Sequence, residues 1–206
     1  MQILPSQRLV LGTNNTKKCN ELRHLLSPLG LNLASLAELP DSISVAETGK
    51  TFLENARLKA AEQAVHLSEW TIGEDSGLSA PYLGGAPGVH SARYSDPGAT
   101  DQRNNEKLLH ALRDARGDQR RAFYTCTIAL SDPTGKIHIE AEGHCWGRIL
   151  TEYRGQGGFG YDPLFEVVEY HQTFAELGNA VKSVLSHRAR ALAQFIRLLH
   201  PLIAQR

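Results

Sequence analysis

The sequence predicts an α/β protein built on a mixed sheet. Strand-like apolar runs alternate with helix-periodic segments in the first third of the chain, the periodicity then changes from helical to two between Ala122 and Leu150, and a helix closes the chain. The early alternation implies parallel strands joined through helices, and the later meander adds antiparallel neighbours, which argues against a purely parallel sheet.

Arg8 to Gly12 reads as a short buried strand, and Lys17 to Leu26 as a helix with Leu22, Leu25 and Leu26 on one face. The polar segment Thr13 to Thr16 joins them. Leu31 to Leu36 is a second strand. Thr51 and Glu54 have capping-box spacing and open a helix through Phe52, Ala56, Ala60, Ala64 and Val65. That helix leads into Thr71-Ile72-Gly73-Glu74-Asp75-Ser76-Gly77-Leu78, an apolar stub that reaches two adjacent carboxylates at its end, and then into the loop Gly84 to Gly88. Thr100 or Asp101 caps a helix reaching about Leu112. Ala122 to Leu130 and Lys136 to Glu142 form an antiparallel hairpin on the turn Asp132-Pro133-Thr134-Gly135, with a further strand near Trp146 to Leu150. Gly155, Gly157, Gly158 and Gly160 mark a loop, and a last helix runs from Ser186 to Leu199, stopped near Pro201.

With 206 residues, 41% hydrophobic and 21% charged, the chain is expected to form one domain over 1–206, with room for two lobes around a cleft. Lys+Arg and Asp+Glu both total 22, so no overall positive field holds it on nucleic acid or an anionic membrane. Met1 to Val10 lacks the basic and apolar regions of a signal peptide, and no apolar run is long enough to span a membrane. Cys19, Cys126 and Cys145 are few, odd in number and widely spaced, which fits a reducing, cytoplasmic setting. Neither a dinucleotide fingerprint nor a Walker A loop follows the first strand, because no glycine lies between Gly12 and Gly30.

Four constellations can carry chemistry. Glu74 and Asp75 repel unless a hard cation lies between them, which suggests metal-assisted phosphoryl chemistry, with Glu47 completing the site and Lys59 balancing phosphate charge. A solvated acidic turn is the alternative. Thr13-x-Asn15-x-x-Lys18-x-x-Glu21 at a strand-to-helix junction offers donors to a phosphate chain, or is a capped helix with a Lys18 to Glu21 pair. Gly158-Phe159-Gly160-Tyr161-Asp162 presents aromatics suited to stacking on a nucleobase, or tucks them into a core. Lys182 and Ser186-His187-Arg188 supply donors for carbonyl oxygens of a base, or form a serine cap followed by solvated basic residues.

Together, and in this order, these segments resemble the inosine/xanthosine triphosphate pyrophosphatase family, the Ham1-like or RdgB-like enzymes. The resemblance rests on the T-x-N-x-x-K-x-x-E opening, ETGKTFLENARLKA from Glu47, EDSGL from Glu74, GGAPGVHSARYS from Gly84, GFGYDPLF from Gly158 and SHRARAL from Ser186. The acidic pair is Glu-Asp where many bacterial members have Asp-Asp, and His90 stands where an aromatic is commoner. The resemblance implies an elongated α/β fold with a curved mixed sheet and two lobes enclosing a cleft, usually a homodimer. The implied activity is Mg²⁺-dependent cleavage of a small-molecule non-canonical purine triphosphate (ITP, dITP, XTP or dXTP) to monophosphate and pyrophosphate. Glu47, Glu74 and Asp75 would hold Mg²⁺, with Asp75 accepting the proton of the attacking water. Lys18 and Lys59 would be catalytic through the triphosphate, which Thr13, Asn14, Asn15, Thr16, Lys17 and Ser76 would also contact. Phe159, Gly160, Tyr161 and Asp162 would line the base site, and Lys182, His187 and Arg188 would donate to the six-position oxygen that hypoxanthine and xanthine carry where adenine has an amino group. The rival readings are a pyrophosphatase for other modified nucleotides and a nucleotide-binding sensor without turnover. A Ser-His-Asp hydrolase is a weaker rival, since no G-x-S-x-G elbow is present.

Overall fold

A computed structural model describes residues 3–4 and 7–203. Met1, Gln2, Pro5 and Ser6, part of the stretch read above for a leader, lie outside the described residues, as do Ala204, Gln205 and Arg206. In chain order the elements are β1 (Arg8–Gly12), α1 (Thr16–Leu26), β2 (Asn32–Ser35), α2 (Phe52–Leu67), β3 (Trp70–Ser79), α3 (Asp101–Ala111), β4 (Arg121–Ser131), β5 (Ile137–Ile149), β6 (Phe165–Val167), β7 (Gln172–Thr173), α4 (Phe174–Leu185) and α5 (His187–Leu199). The seven strands form one sheet in the order β2-β1-β3-β4-β5-β6-β7. β1 runs parallel to both β2 and β3, whereas β6 is antiparallel to β5 and to β7, so the sheet is mixed as expected. Among the described residues no helix is long and apolar enough to cross a membrane.

The chain divides into two compact units, one of Met1–Asp75, Cys126–Gly143 and Arg188–Arg206, the other of Ser76–Thr125 and His144–His187. In the first, strand alternation sorts side chains between the two faces of the sheet. Leu9 and Leu11 of β1, Trp70 and Ile72 of β3, and Cys126, Ile128 and Leu130 of β4 pack with Leu22 and Leu26 of α1 and with Leu192 and Phe195 of α5. Val10 turns the other way to meet Ala34, Leu36 and Leu39, and Ala129 meets Ala56 and Ala60 of α2. α2 comes so close to β3 that a Cβ on Gly73 would collide with the Ala56 carbonyl oxygen and the Ala60 amide nitrogen. Small residues at 56, 60 and 73 therefore bring the polar residues of α2 against the acids of β3.

In the second unit, Leu78, Leu108, Leu112, Tyr124, Ile149, Phe165 and Phe174 lead a separate core. Its buried Arg120 donates to the carbonyls of Leu112 (2.7 Å), Ile149 (2.6 Å) and Leu150 (2.8 Å), satisfying oxygens left at the ends of α3 and β5.

Three features differ from the sequence expectation. β3 does not stop at the acidic pair but runs on to Ser79, because Leu78 is buried and gives the strand an apolar anchor beyond the acids. The stretches Lys136 to Glu142 and Trp146 to Leu150 belong to one strand, β5, whose buried residues alternate from Ile139 to Ile149 without a break. β6, β7 and α4 were not anticipated. Thr173 and Glu176 make a capping box at the start of α4, but Gly178 (φ 76°) interrupts the helix and hides its periodicity.

The β4–β5 turn is fastened by Asp132. Its Oδ1 accepts from the Thr134 amide (2.8 Å), the Thr134 hydroxyl (2.6 Å) and the Lys136 amide (3.2 Å), and its Oδ2 faces His138 Nε2 at 2.7 Å. Burial raises the pKa of this carboxyl, but the donors outweigh burial and hold it well below the usual carboxylate range.

Two predictions follow from this packing. Gly73→Ala should lower stability by about 1–3 kcal/mol, read as a lower Tm, and an unchanged Tm would contradict the close approach of α2. Asp132→Asn should cost about 1–3 kcal/mol at neutral pH. Since folding depresses this pKa, the contribution is full above the unfolded carboxyl value of ~3.9 and fades as pH falls below it. Urea unfolding of both proteins across that range should show the gap closing in acid; a constant gap would show that the charge plays no part.

Candidate functional site

The first unit gathers seven charged side chains around the acidic pair in the middle of β3. Trp70, Ile72 and Glu74 share one face of the strand, and Thr71, Gly73 and Asp75 share the other, because successive side chains on a strand alternate. Glu74 accordingly turns toward α1 and α5. Its carboxylate meets Lys18 Nζ at 3.1 Å and Arg188 Nη2 at 3.1 Å, and accepts from the Cys126 thiol at 3.3 Å. Arg188 Nη1 also bonds Glu21. Glu74 and Arg188 are each 1% exposed. Burial lowers the Arg188 pKa, but Glu74, Cys126 and Glu21 outweigh it and hold the guanidinium firmly protonated.

Asp75 turns toward α2. Lys59 Nζ lies 2.9 Å from Asp75 Oδ1 and 2.9 Å from Glu47 Oε1, and donates to the Glu74 carbonyl at 3.2 Å. Asn55, one helical turn before Lys59, donates to Asp75 Oδ2 at 3.1 Å while its own oxygen accepts the Gly49 amide at 2.8 Å. Asn55 thus fixes both the Glu47-Thr48-Gly49 segment and the rotamer of Asp75. Burial raises the Asp75 pKa more than Lys59 and Lys18 lower it, so the carboxyl titrates above its usual range. Lys59 shows the opposite balance: burial lowers its pKa, and Asp75 and Glu47 raise it further than burial depresses it.

The expected cation site of Glu47, Glu74 and Asp75 is grouped differently by the fold. Glu47 and Asp75 meet at Lys59, and Glu74 lies on the other face of the strand. Among the described residues no three His, Cys, Asp or Glu side chains come together as a metal set. The Glu47 and Asp75 pair still offers hard oxygen donors of the kind Mg²⁺ takes alongside phosphate and water. At the head of α1, Asn15 is the cap: its side chain accepts from the amides of Lys17 (3.0 Å) and Lys18 (3.2 Å), and Thr13 Oγ1 accepts the Asn15 amide at 3.2 Å. Two of the amides expected to face a phosphate chain are therefore already bonded. Asn14, Asn15, Thr16 and Lys17 are exposed, and Thr13 and Lys18 are half-buried.

The second unit holds the aromatic and donor residues. Lys182 Nζ bonds Asp162 Oδ2 at 2.6 Å, and the same oxygen accepts the Phe159 amide at 2.9 Å. The Lys182 ammonium lies 4.2 Å from the centroid of the half-buried Phe159 ring. The Gly160 amide donates to Asp101 Oδ2 at 2.9 Å, and the Gly160 carbonyl accepts from Asn105 Nδ2 at 2.9 Å, which fixes this loop on α3. Tyr161 is tucked into the core, 3% exposed, its hydroxyl donating to the Ser91 carbonyl at 2.7 Å; of the two readings for this loop, the core placement holds for Tyr161. His187 stacks on Tyr124, with ring centroids 4.6 Å apart and planes at 10°. Ser76 is half-buried next to the acidic pair in sequence.

His187 and Arg188 are successive residues at the start of α5 and so point to different sides of the helix. His187 meets Tyr124, while Arg188 meets Glu21 and Glu74. Sequence reasoning missed Asn55, Cys126 and Tyr124. Asn55 precedes Lys59 by four residues on one helix face, a spacing that carried the signal. Cys126 and Tyr124 read as ordinary alternating strand residues and carried none.

Comparison with known proteins bears on the chain as a whole. The model of the Ham1 family matches residues 9–198. A relative from Rhodopirellula baltica, named dITP/XTP pyrophosphatase, is 52% identical over 195 residues, covering 95% of this chain and 94% of its own. One of the same name from Desulforamulus reducens is 47% identical over 195 residues, covering 95% and 96%. Among solved structures, a Ham1 protein from Coxiella burnetii has a TM-score of 0.86 at 36% identity, covering 95% of this chain and 99% of its own. The Staphylococcus aureus Ham1 protein has a TM-score of 0.84 at 35% identity, with the same coverage. The matched span takes in both charged groups described above, and the chain belongs to the Ham1 family.

Proposed function

We propose that this protein hydrolyses non-canonical purine nucleoside triphosphates, dITP and XTP among them, to the nucleoside monophosphate and pyrophosphate. The observation that carries the reading is the buried Asp75, held by Asn55 and sharing the Lys59 ammonium with Glu47. Phosphoryl transfer asks a protein for positioning and charge, with no covalent nucleophile. Lys18 and Lys59 neutralise the phosphate chain, and Thr13 to Lys17 and Ser76 line its path. Asp75 accepts the proton of the attacking water at its carboxylate, and its raised pKa makes it a stronger base than a solvated aspartate. Glu47 and Asp75 would hold Mg²⁺, which when bound supplies charge neutralisation at the phosphoryl oxygens.

In this reading Glu74 is a charge anchor. It fixes Lys18 on one side and Arg188 on the other, so Arg188 acts on the phosphate end through Glu74 instead of reading the base. Base selection falls to Lys182, His187, Phe159 and Asp162, whose donors suit a carbonyl at the six position. A cytoplasmic location is supported by three buried cysteines, all free. Homodimer formation belongs to the same proposal and is checked by light scattering.

The direct experiment is incubation with Mg²⁺ and a panel of purine triphosphates, followed by product identification. Monophosphate and pyrophosphate from dITP or XTP, with little turnover of ATP, is the expected result; orthophosphate release would overturn the reading. Arg188→Ala should leave the buried Glu74 with Lys18 as its cation and take the guanidinium from Glu21, and cost about 3 kcal/mol of stability. Its kcat/KM should fall by similar factors for ITP and ATP. A loss confined to ITP would return Arg188 to the base site.

A further inference from the structure

We propose that Tyr124 is a positioning residue for base selection, acting through His187; the inference rests on the reading above and extends it to a residue of β4. Tyr124 is 7% exposed and His187 4%, and their rings are stacked nearly parallel, 4.6 Å apart at 10°. The Tyr124 ring is itself packed by Phe165 at 4.7 Å and Phe174 at 6.3 Å, and those two rings stack on each other at 5.4 Å and 7°. A tyrosine held by two aromatic rings gives the imidazole one fixed plane. The direction of an imidazole N–H lies in that plane, so fixing the plane limits where His187 can donate.

The Tyr124 hydroxyl also reaches Asp162 Oδ1 at 3.4 Å, while Asp162 Oδ2 holds Lys182 at 2.6 Å. One side chain therefore touches both His187 and the carboxylate that holds Lys182. The 3.4 Å contact is at the long limit for an O–H···O bond, whereas the stack is close and parallel. The ring, not the hydroxyl, does most of the positioning. Removing the hydroxyl should consequently matter little, and removing the ring should matter a great deal.

The test measures kcat and KM for ITP and ATP on wild type, Tyr124→Phe, Tyr124→Leu, His187→Ala and the double variant Tyr124→Leu/His187→Ala. The Phe variant should keep the wild-type preference for ITP within about twofold, and the Leu variant should lose on the order of tenfold of it, mainly through KM for ITP. The double variant should lose no more preference than His187→Ala alone, because both substitutions remove one effect. Additive losses, equal losses on both bases, or a folded Leu variant with wild-type preference would each overturn the inference. Should Tyr124→Leu fail to fold, Tyr124→Met is read by the same criteria. A wild type with no base preference overturns the functional reading and this inference together, whereas a selective wild type with an equally selective Leu variant overturns the inference alone.

Discussion

Two neighbouring residues of a β-strand cannot present their side chains to the same face, and this constraint organises the charged middle of β3. Glu74 and Asp75 are adjacent, both are almost completely buried, and each must find its own set of partners. The strand sends Glu74 toward α1 and α5 and Asp75 toward α2. From this division come two environments for two like side chains. Glu74 is fully engaged by Lys18, Arg188 and Cys126, whereas Asp75 is pushed toward its neutral form by burial. The proposed division of labour, an electrostatic role for Glu74 and a proton-accepting one for Asp75, rests on this difference in surroundings.

The packing beneath the site makes this division possible. Gly73 and the alanines at 56 and 60 let α2 lie directly on β3, which delivers Asn55 and Lys59 to Asp75 without any side chain between them. On the other face, Arg188 ties α5 to α1 through Glu21 and to β3 through Glu74. A buried ion pair of this kind contributes little net stability over apolar packing, but removing one partner is severe because the other is left charged and dry. The residues proposed to read the base are organised by a separate principle, aromatic stacking and the Lys182–Asp162 pair, with their own core around Tyr124, Phe165 and Phe174.

Much of this was legible in the sequence because it follows from local rules. The Thr51–Glu54 box, the alternation of β4 and β5, and the motif residues of β1, α1 and α2 all have signatures within a few positions of each other. Where the sequence reading fell short, the deciding contact lies far along the chain. Glu74 meets Arg188 across 114 positions and Tyr124 meets Asp162 across 38, and no local pattern announces either. The acidic pair read as a strand end because Gly and Ser around it are turn residues. Its place inside β3 depends on Leu78 being buried by the second core. The pairing of Arg188 with Glu21, 167 positions away, is likewise beyond any local pattern.

The central claim is that Glu74 and Asp75 have different jobs, and it is tested most directly by comparing thermal unfolding and pyrophosphate release for Glu74→Gln and Asp75→Asn. Glu74→Gln leaves Lys18 and Arg188 facing each other across a neutral group in a buried site, and should cost about 3–5 kcal/mol of stability. Asp75→Asn leaves Lys59 paired with Glu47, so stability should fall by less than in Glu74→Gln while turnover falls by about 10²-fold or more. Stability lost to the same extent in both variants, or turnover surviving in Asp75→Asn, would contradict the account.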